Sequence, residues 1–168
     1  MPPTALVSAR GEDRIRGGHP WIYRSDVADV SPERGPVVEV RGPRHRVLGH
    51  ALFSEESQIT LRMITRDDTP ITKEFWRNRL ATAIAFREQL GIDATAYRLV
   101  HGEADLLPSL IVDRYADYLV VQALSHGMDQ LMPEIVPQLV ELTGAKGVLA
   151  RNDPKVRLLE GLEQTVEV

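Results

Sequence analysis

The chain has 168 residues, 43% hydrophobic and 26% charged, enough for one large soluble domain or two small ones. No run reaches the roughly 18 apolar residues of a membrane helix. The N-terminus MPPTALVSARGEDR also lacks an apolar signal core, so secretion and membrane insertion are not indicated and a cytoplasmic location is the expectation. With no cysteine there are no disulfides, thiolate metal sites or cysteine nucleophiles, and a net charge of −4 argues against a generic polycation-type nucleic-acid binder.

That average hides an asymmetry. Residues 1–72 hold ten Arg, no Lys and ten Asp/Glu, whereas residues 73–168 hold ten Lys/Arg and fourteen Asp/Glu. Arginine without lysine suits planar, bidentate contacts to phosphates or base edges. It suits a GC-rich genome equally well, and only Lys73, Lys146 and Lys155 are lysines.

In chain order, Ala5–Ala9 reads as a strand and Arg10–Gly18 as one or two helical turns ended by the Gly pair. His19-Pro20-Trp21-Ile22-Tyr23 is a Pro-stiffened segment with two aromatics. Four β-like runs follow, at Val27–Val30, Pro36–Arg41, Val47–Phe53 and Ile59–Thr65, separated by the turn signals SPERG, GPRHR and SEES. Short strands at about ten-residue spacing predict a small closed β-barrel. Asp67-Asp68-Thr69-Pro70 breaks the pattern, and the domain boundary falls within 66–73, giving residues 1–70 and 71–168.

Thr72 is the expected N-cap of a helix over 73–91, whose apolar positions are Phe75, Trp76, Leu80, Ala83, Ile84, Phe86 and Leu90, with Gly91 after its end. Tyr97–His101, Ser109–Val112 and Tyr118–Leu124 are three strands of a meander, with turns at GEADLLP and Asp113–Asp117. A second helix over 127–143 contains Pro133 and Pro137, and Pro137 is expected to kink it or mark its true start. Gly147–Ala150 and Thr165–Val168 read as further strands, with a loop that has room for one helical turn over Arg151–Gly161. The fold class is therefore α+β, a small barrel followed by a meander sheet with two covering helices.

Three constellations could carry chemistry. Glu103, Asp105, Asp113 and Asp117 could supply a general acid and base, but such turn residues mainly cap their own backbone. The histidines show no metal-ligand spacing, and His101 beside Glu103 makes only two ligands. There is no G-x-G-x-x-G and no G-x-x-x-x-G-K-[ST], so no nucleotide or S-adenosylmethionine pocket is encoded. The positive signal is Arg10, Arg14, Arg16, Gly17, Gly18, His19 and Trp21, where guanidinium groups, turn N–H groups and a stacking aromatic suit an RNA backbone. The competing reading makes Trp21 and Tyr23 barrel core and pairs the arginines with Glu12, Asp13 and Asp26.

R-x-x-x-G-H-P-W-I-Y near the start, S-Q-I-T-L-R-M-I about forty residues later, and R-L-V-H-G-E-A-D-x-L-P-x-L-I-V-D-R-Y after a helix occur in that order. The chain thereby resembles the bacterial S-adenosylmethionine-dependent class I large-subunit (23S) ribosomal RNA cytosine-5 methyltransferases, from about Ala5 to about Leu162. The resemblance implies an N-terminal PUA barrel that binds RNA, a central α/β domain, and a catalytic Rossmann-like domain that this stretch does not reach. It carries Arg14, Gly18, His19, Pro20 and Trp21 over as the RNA-facing edge of the barrel. Positions usually Gly in that family are Leu106, Ser109 and Ala116 here, so those turns must tolerate side chains. The expectation is an RNA-binding, substrate-positioning portion with no catalytic residue of its own. S-adenosylmethionine is needed only in the missing catalytic domain. Neither DNA nor membrane is an expected partner, and the open edges leave room for a homodimer. The rival readings are a protein-interaction module that kept the barrel and lost RNA, and a small enzyme using the acidic turns.

Overall fold

A computed structural model describes residues 3–31, 33 and 35–168. The chain divides into two compact units, Met1–Ile71 and Thr72–Val168. The SPERG turn expected from the sequence falls partly on Pro32 and Arg34, outside the described residues.

The first unit runs β1 (Thr4–Val7), α1 (Ala9–Arg16), β2 (Trp21–Tyr23), a 3-10 turn (Arg24–Asp26), β3 (Val27–Val30), β4 (Val37–Arg41), β5 (Val47–Phe53) and β6 (Ile59–Met63). Its six strands form one sheet in the order β2-β6-β5-β4-β1-β3, with β1 and β4 parallel and the other pairs antiparallel. The two edge strands, β2 and β3, are joined by the three residues Arg24–Asp26 alone. A three-residue link spans at most about 10 Å, so the sheet must curl until its edges nearly meet. The curl replaces the closed barrel of the sequence reading, because the β2 and β3 edges are not paired with one another. Ala5, Val7, Ile15, Ile22, Val38, Val40, Ala51 and Leu61 fill the inside at 0–2% exposure. Within β2 the alternation puts Ile22 in this core and leaves Trp21 and Tyr23 half-buried on the other face, so the aromatics are not the core residues that the competing reading required.

The second unit runs α2 (Lys73–Gln89), β7 (Ala96–His101), a 3-10 turn (Gly102–Asp105), β8 (Leu110–Tyr115), β9 (Tyr118–Ala123), α3 (His126–Thr143), β10 (Gly147–Asn152), a second 3-10 turn (Lys155–Glu160) and β11 (Thr165–Glu167). The sheet order is β11-β10-β9-β8-β7. β7, β8 and β9 form the expected meander, while β10 lies parallel to β9 across the α3 crossover. Thr72 caps α2 through a hydrogen bond from Phe75 N at 3.2 Å. The buried stripe of α2 is Trp76, Leu80, Ala83 and Ile84; Phe86 and Leu90 are about half exposed, which corrects the wider stripe of the sequence reading. α3 begins at its Ser125 cap and runs continuously through Pro133 and Pro137. The prolines sit four residues apart on its exposed side, where the carbonyls they leave unpaired can reach water, while Met128, Leu131, Ile135 and Leu139 face inward.

β8 reaches Tyr115, so the turn expected over Asp113–Asp117 shrinks to the two residues Ala116 and Asp117 between the paired Tyr115 and Tyr118. The three substituted glycine positions share one property. Leu106, Ser109 and Ala116 have φ of 57°, 59° and 51°, the left-handed region that favours glycine. All three turns take a backbone that favours glycine while carrying a side chain.

Candidate functional site

α1 is amphipathic and starts at Ser8, whose hydroxyl accepts from Gly11 N at 3.1 Å. Its inner face is fixed by the buried Asp26. Ser8 N donates to Asp26 O at 2.8 Å, and a Cβ on Gly11 would lie 3.0 Å from that same oxygen, so glycine lets the helix seat this closely. Arg10 Nε donates to Asp26 Oδ1 at 2.6 Å, and Arg14 Nε lies 3.1 Å from Oδ2 with a poor hydrogen-bond angle. Arg14 also stacks over the Tyr23 ring at 5.5 Å. Arg10 and Arg14 thus neutralise a carboxylate that is 1% exposed, and a buried charge requires such a partner. Arg16 is held by Glu12, one turn earlier, at 2.5–2.8 Å. The Asp26 and Glu12 pairings of the competing reading are therefore present: Asp26 turns Arg10 and Arg14 toward structural work, and Glu12 engages Arg16 in an exposed pair.

The turn after α1 is built as the sequence suggested, with one difference: Gly17 has a right-handed φ of −74° and only Gly18, at φ 84°, is left-handed. His19 N donates to Arg14 O at 2.9 Å, and Pro20 O accepts from Met63 N at 2.8 Å. Trp21 N donates to His19 Nδ1 at 3.1 Å, so that nitrogen carries the lone pair and Nε2 the proton. Arg66 closes the turn from the far end of the unit. Its Nε donates to Ile15 O at 3.3 Å and its second nitrogen to Gly18 O at 2.8 Å, two carbonyls at a helix C-terminus where a cation is favoured.

The cationic surface lies beside this turn and contains residues that the sequence motif missed. One cleft of about 440 Å³ is lined by Ala9, Glu12, Asp13, Arg16, Pro43, Arg44 and Arg46. A second, of about 430 Å³, is lined by Ile15, Arg16, Arg46, Val47, Leu48 and Arg66. They share Arg16 and Arg46, so the two clefts adjoin, and together they make a channel flanked by the end of α1 and the β4–β5 hairpin. Gly42 lets the two sides close up, since a Cβ there would lie 2.3 Å from Glu12 Oε2. Among the described residues the Arg44 and Arg46 side chains have no acidic partner, and both residues are exposed. The only signal for them in the sequence was the arginine-rich GPRHR turn.

The acidic turns of the second unit are structural. Asp105 takes a two-pronged contact from Arg87 at 2.5 and 2.8 Å and accepts from His101 N at 2.6 Å. Asp113 pairs with Arg98 at 2.8 and 3.1 Å, and that hydrogen bond raises the guanidinium pKa. Asp117 pairs with Lys146 at 2.6 Å, whose hydrogen bond holds the carboxyl below its ordinary range. These acids are committed to cationic partners, so they do not form the acid–base pair considered from the sequence. A mostly apolar cleft of about 800 Å³ along α3, β10 and β11 adds no catalytic grouping.

Comparison with known proteins bears on the domain and the fold. A family profile described as "PUA-like domain" matches residues 6–66, the curled sheet and α1. Ribosomal RNA large subunit methyltransferase I of Tolumonas auensis is 37% identical over 169 residues, covering 98% of this chain and 43% of that protein. The protein of the same name in Vibrio cholerae is 33% identical over 171 residues, with 98% and 43% covered. Among solved structures, a candidate SAM-dependent methyltransferase from Streptococcus mutans superposes with a TM-score of 0.76 at 17% identity, over 92% of this chain and 41% of that one, which supports the fold. The chain spans less than half the length of these relatives. It is thus homologous, over nearly its whole length, to the PUA-containing portion of ribosomal RNA large subunit methyltransferase I.

Proposed function

We propose that this chain is the RNA-binding, substrate-positioning portion of a ribosomal RNA large-subunit methyltransferase. The observation that carries the reading is the channel of Arg16, Arg44, Arg46 and Arg66 on the PUA-like unit. Arg44 and Arg46 are exposed with no acidic partner among the described residues, suited to phosphates, and Trp21 is half-buried on the edge strand β2, suited to stacking on a base. The RNA is 23S ribosomal RNA, and methyl transfer at cytosine C5 with S-adenosylmethionine belongs to the length of the relatives that this stretch does not span. That transfer proceeds through a thiolate, and this chain has no cysteine to supply one. The working compartment is the cytoplasm; among the described residues no helix is long and apolar enough to cross a membrane.

The test is binding of this chain to a 23S RNA fragment over a salt series. Four phosphate contacts predict a log–log slope of about −2.8, at about −0.7 per contact for single strands. Arg44→Ala with Arg46→Ala removes two contacts, so the slope falls to about −1.4 and binding weakens at every salt concentration. Salt-independent affinity, or an unchanged slope in the double variant, sinks the RNA reading and favours a protein-interaction module instead.

A further inference from the structure

Glu39 on β4 and His50 on β5 are direct cross-strand partners, so their side chains rise from the same face of the sheet. After β6 the chain turns back across β5. Ile64 N and Thr65 N both donate to His50 O, at 2.8 and 3.2 Å, and His50 N donates to Thr65 Oγ1 at 3.0 Å. Gly49 permits this crossing, because a Cβ there would lie 2.1 Å from Thr65 O. The crossing delivers Asp68 to the same place, and one ligand atom from each of Glu39, His50 and Asp68 lies within 4.8 Å of the others. Ligands held about 2.1 Å from one metal ion lie up to about 4.2 Å apart, so a small rotation of the exposed Asp68 completes the set.

The surrounding bonds prepare two of the three for coordination. Thr65 Oγ1 lies 3.2 Å from Asp67 O and 3.3 Å from His50 Nδ1. With Nδ1 as the donor to Thr65 Oγ1, Nε2 keeps its lone pair for a metal, the arrangement in which a neighbouring acceptor orients a metal-binding histidine. Arg41 Nε holds Glu39 Oε1 at 2.5 Å, and among the described residues Oε2 has no hydrogen-bond partner. With Arg41 counted, two carboxylates and a neutral imidazole still leave one net negative charge for a cation. An imidazole with two carboxylates and no thiolate selects a borderline divalent ion over Mg²⁺ or Ca²⁺.

We propose that Glu39, His50 and Asp68 form a Zn²⁺ site that pins the segment after β6 to the β4–β5 pair, with water completing the coordination. The test is calorimetric titration of chelator-treated chain with Zn²⁺ and, separately, Mg²⁺. The expected result is one saturable Zn²⁺ per chain and no Mg²⁺ signal. Asp68→Ala and His50→Gln should each weaken Zn²⁺ at least about tenfold, by analogy with the 10–100-fold losses on removing supporting groups. His45→Gln and His101→Gln should leave it unchanged. Asp68 is exposed, so its variant keeps the fold even where His50→Gln does not. Absence of saturable Zn²⁺ binding, or equal affinity in Asp68→Ala, overturns the proposal.

Discussion

The three left-handed turn positions allow the sharpest stability test, and Ala116 is the cleanest of them. Ala116 is the first of two residues linking β8 to β9, with φ 51°, while Asp117 is not in the positive region. A positive φ in a two-residue hairpin loop marks a position that favours glycine. A Cβ in the left-handed region costs about 1–2 kcal/mol, and glycine adds back about 0.5–1 kcal/mol of chain entropy. Ala116→Gly should therefore stabilise the second unit by about 0.5–1 kcal/mol, a rise in Tm of about 2–8 °C for a unit of this size. The backbone bonds at the turn, Ala116 N to Thr95 O at 2.6 Å and Arg114 Nε to Ala116 O at 2.9 Å, need no side chain and survive the change. Ser109→Gly is the internal control. Its φ of 59° is the same, but its buried hydroxyl donates to Pro108 O at 2.6 Å and shares a short hydrogen bond with the α3 cap Ser125. Losing those bonds, at about 1 kcal/mol each, offsets the relief of strain, so Ser109→Gly should leave Tm level or lower it. The assay is thermal unfolding followed by circular dichroism. If Ala116→Gly melts at or below the parent, or Ser109→Gly gains as much as Ala116→Gly, the strain argument is wrong.

Further outcomes follow from individual contacts. Gly49→Ala should destabilise the first unit by more than about 2 kcal/mol in urea melts, because φ 141° is unfavourable for a side chain and its Cβ would run into Thr65 O; a loss under about 0.5 kcal/mol would refute that packing. Arg87 and Asp105 are about 10% exposed, and removing one partner strands the other's charge. Arg87→Met alone should therefore cost about 3 kcal/mol, and Arg87→Met with Asp105→Asn clearly less, as read from a double-variant cycle. The Lys146–Asp117 pair lowers the acid's pKa from 3.8 and raises the amine's from 10.5, so its contribution is whole between those values. It fades as pH falls through the lowered carboxyl value or climbs through the raised amine value. Both groups are exposed to solvent, so Asp117→Asn should change Tm only slightly, and only at low salt.

Much of the fold was legible because local signals agreed with one another. The β-like runs Pro36–Arg41 and Ile59–Thr65, bounded by turn signals, located β4 and β6, and Thr72 before an apolar stripe located the start of α2. The resemblance through Trp21 and the long 98–115 motif fixed the relatives. The sequence also marked Leu106, Ser109 and Ala116 as unusual, since side chains stood where turns usually take glycine. What it could not determine was which distant residues meet. Asp26 stood only as one of three candidate partners for the arginines, and the 3-10 turn that brings it, buried, beneath α1 decides that Arg10 and Arg14 take it. Arg44, Arg46 and Arg66 lie far from Arg16 along the chain, and only the packing of the β4–β5 hairpin against α1 lines them up. Glu39, His50 and Asp68 converge because antiparallel register pairs the first two and the missing Cβ of Gly49 admits the chain carrying the third. Periodicity and turn chemistry report each residue's own neighbourhood, whereas a surface channel or a ligand set depends on sheet register and close approach between segments that share no local pattern.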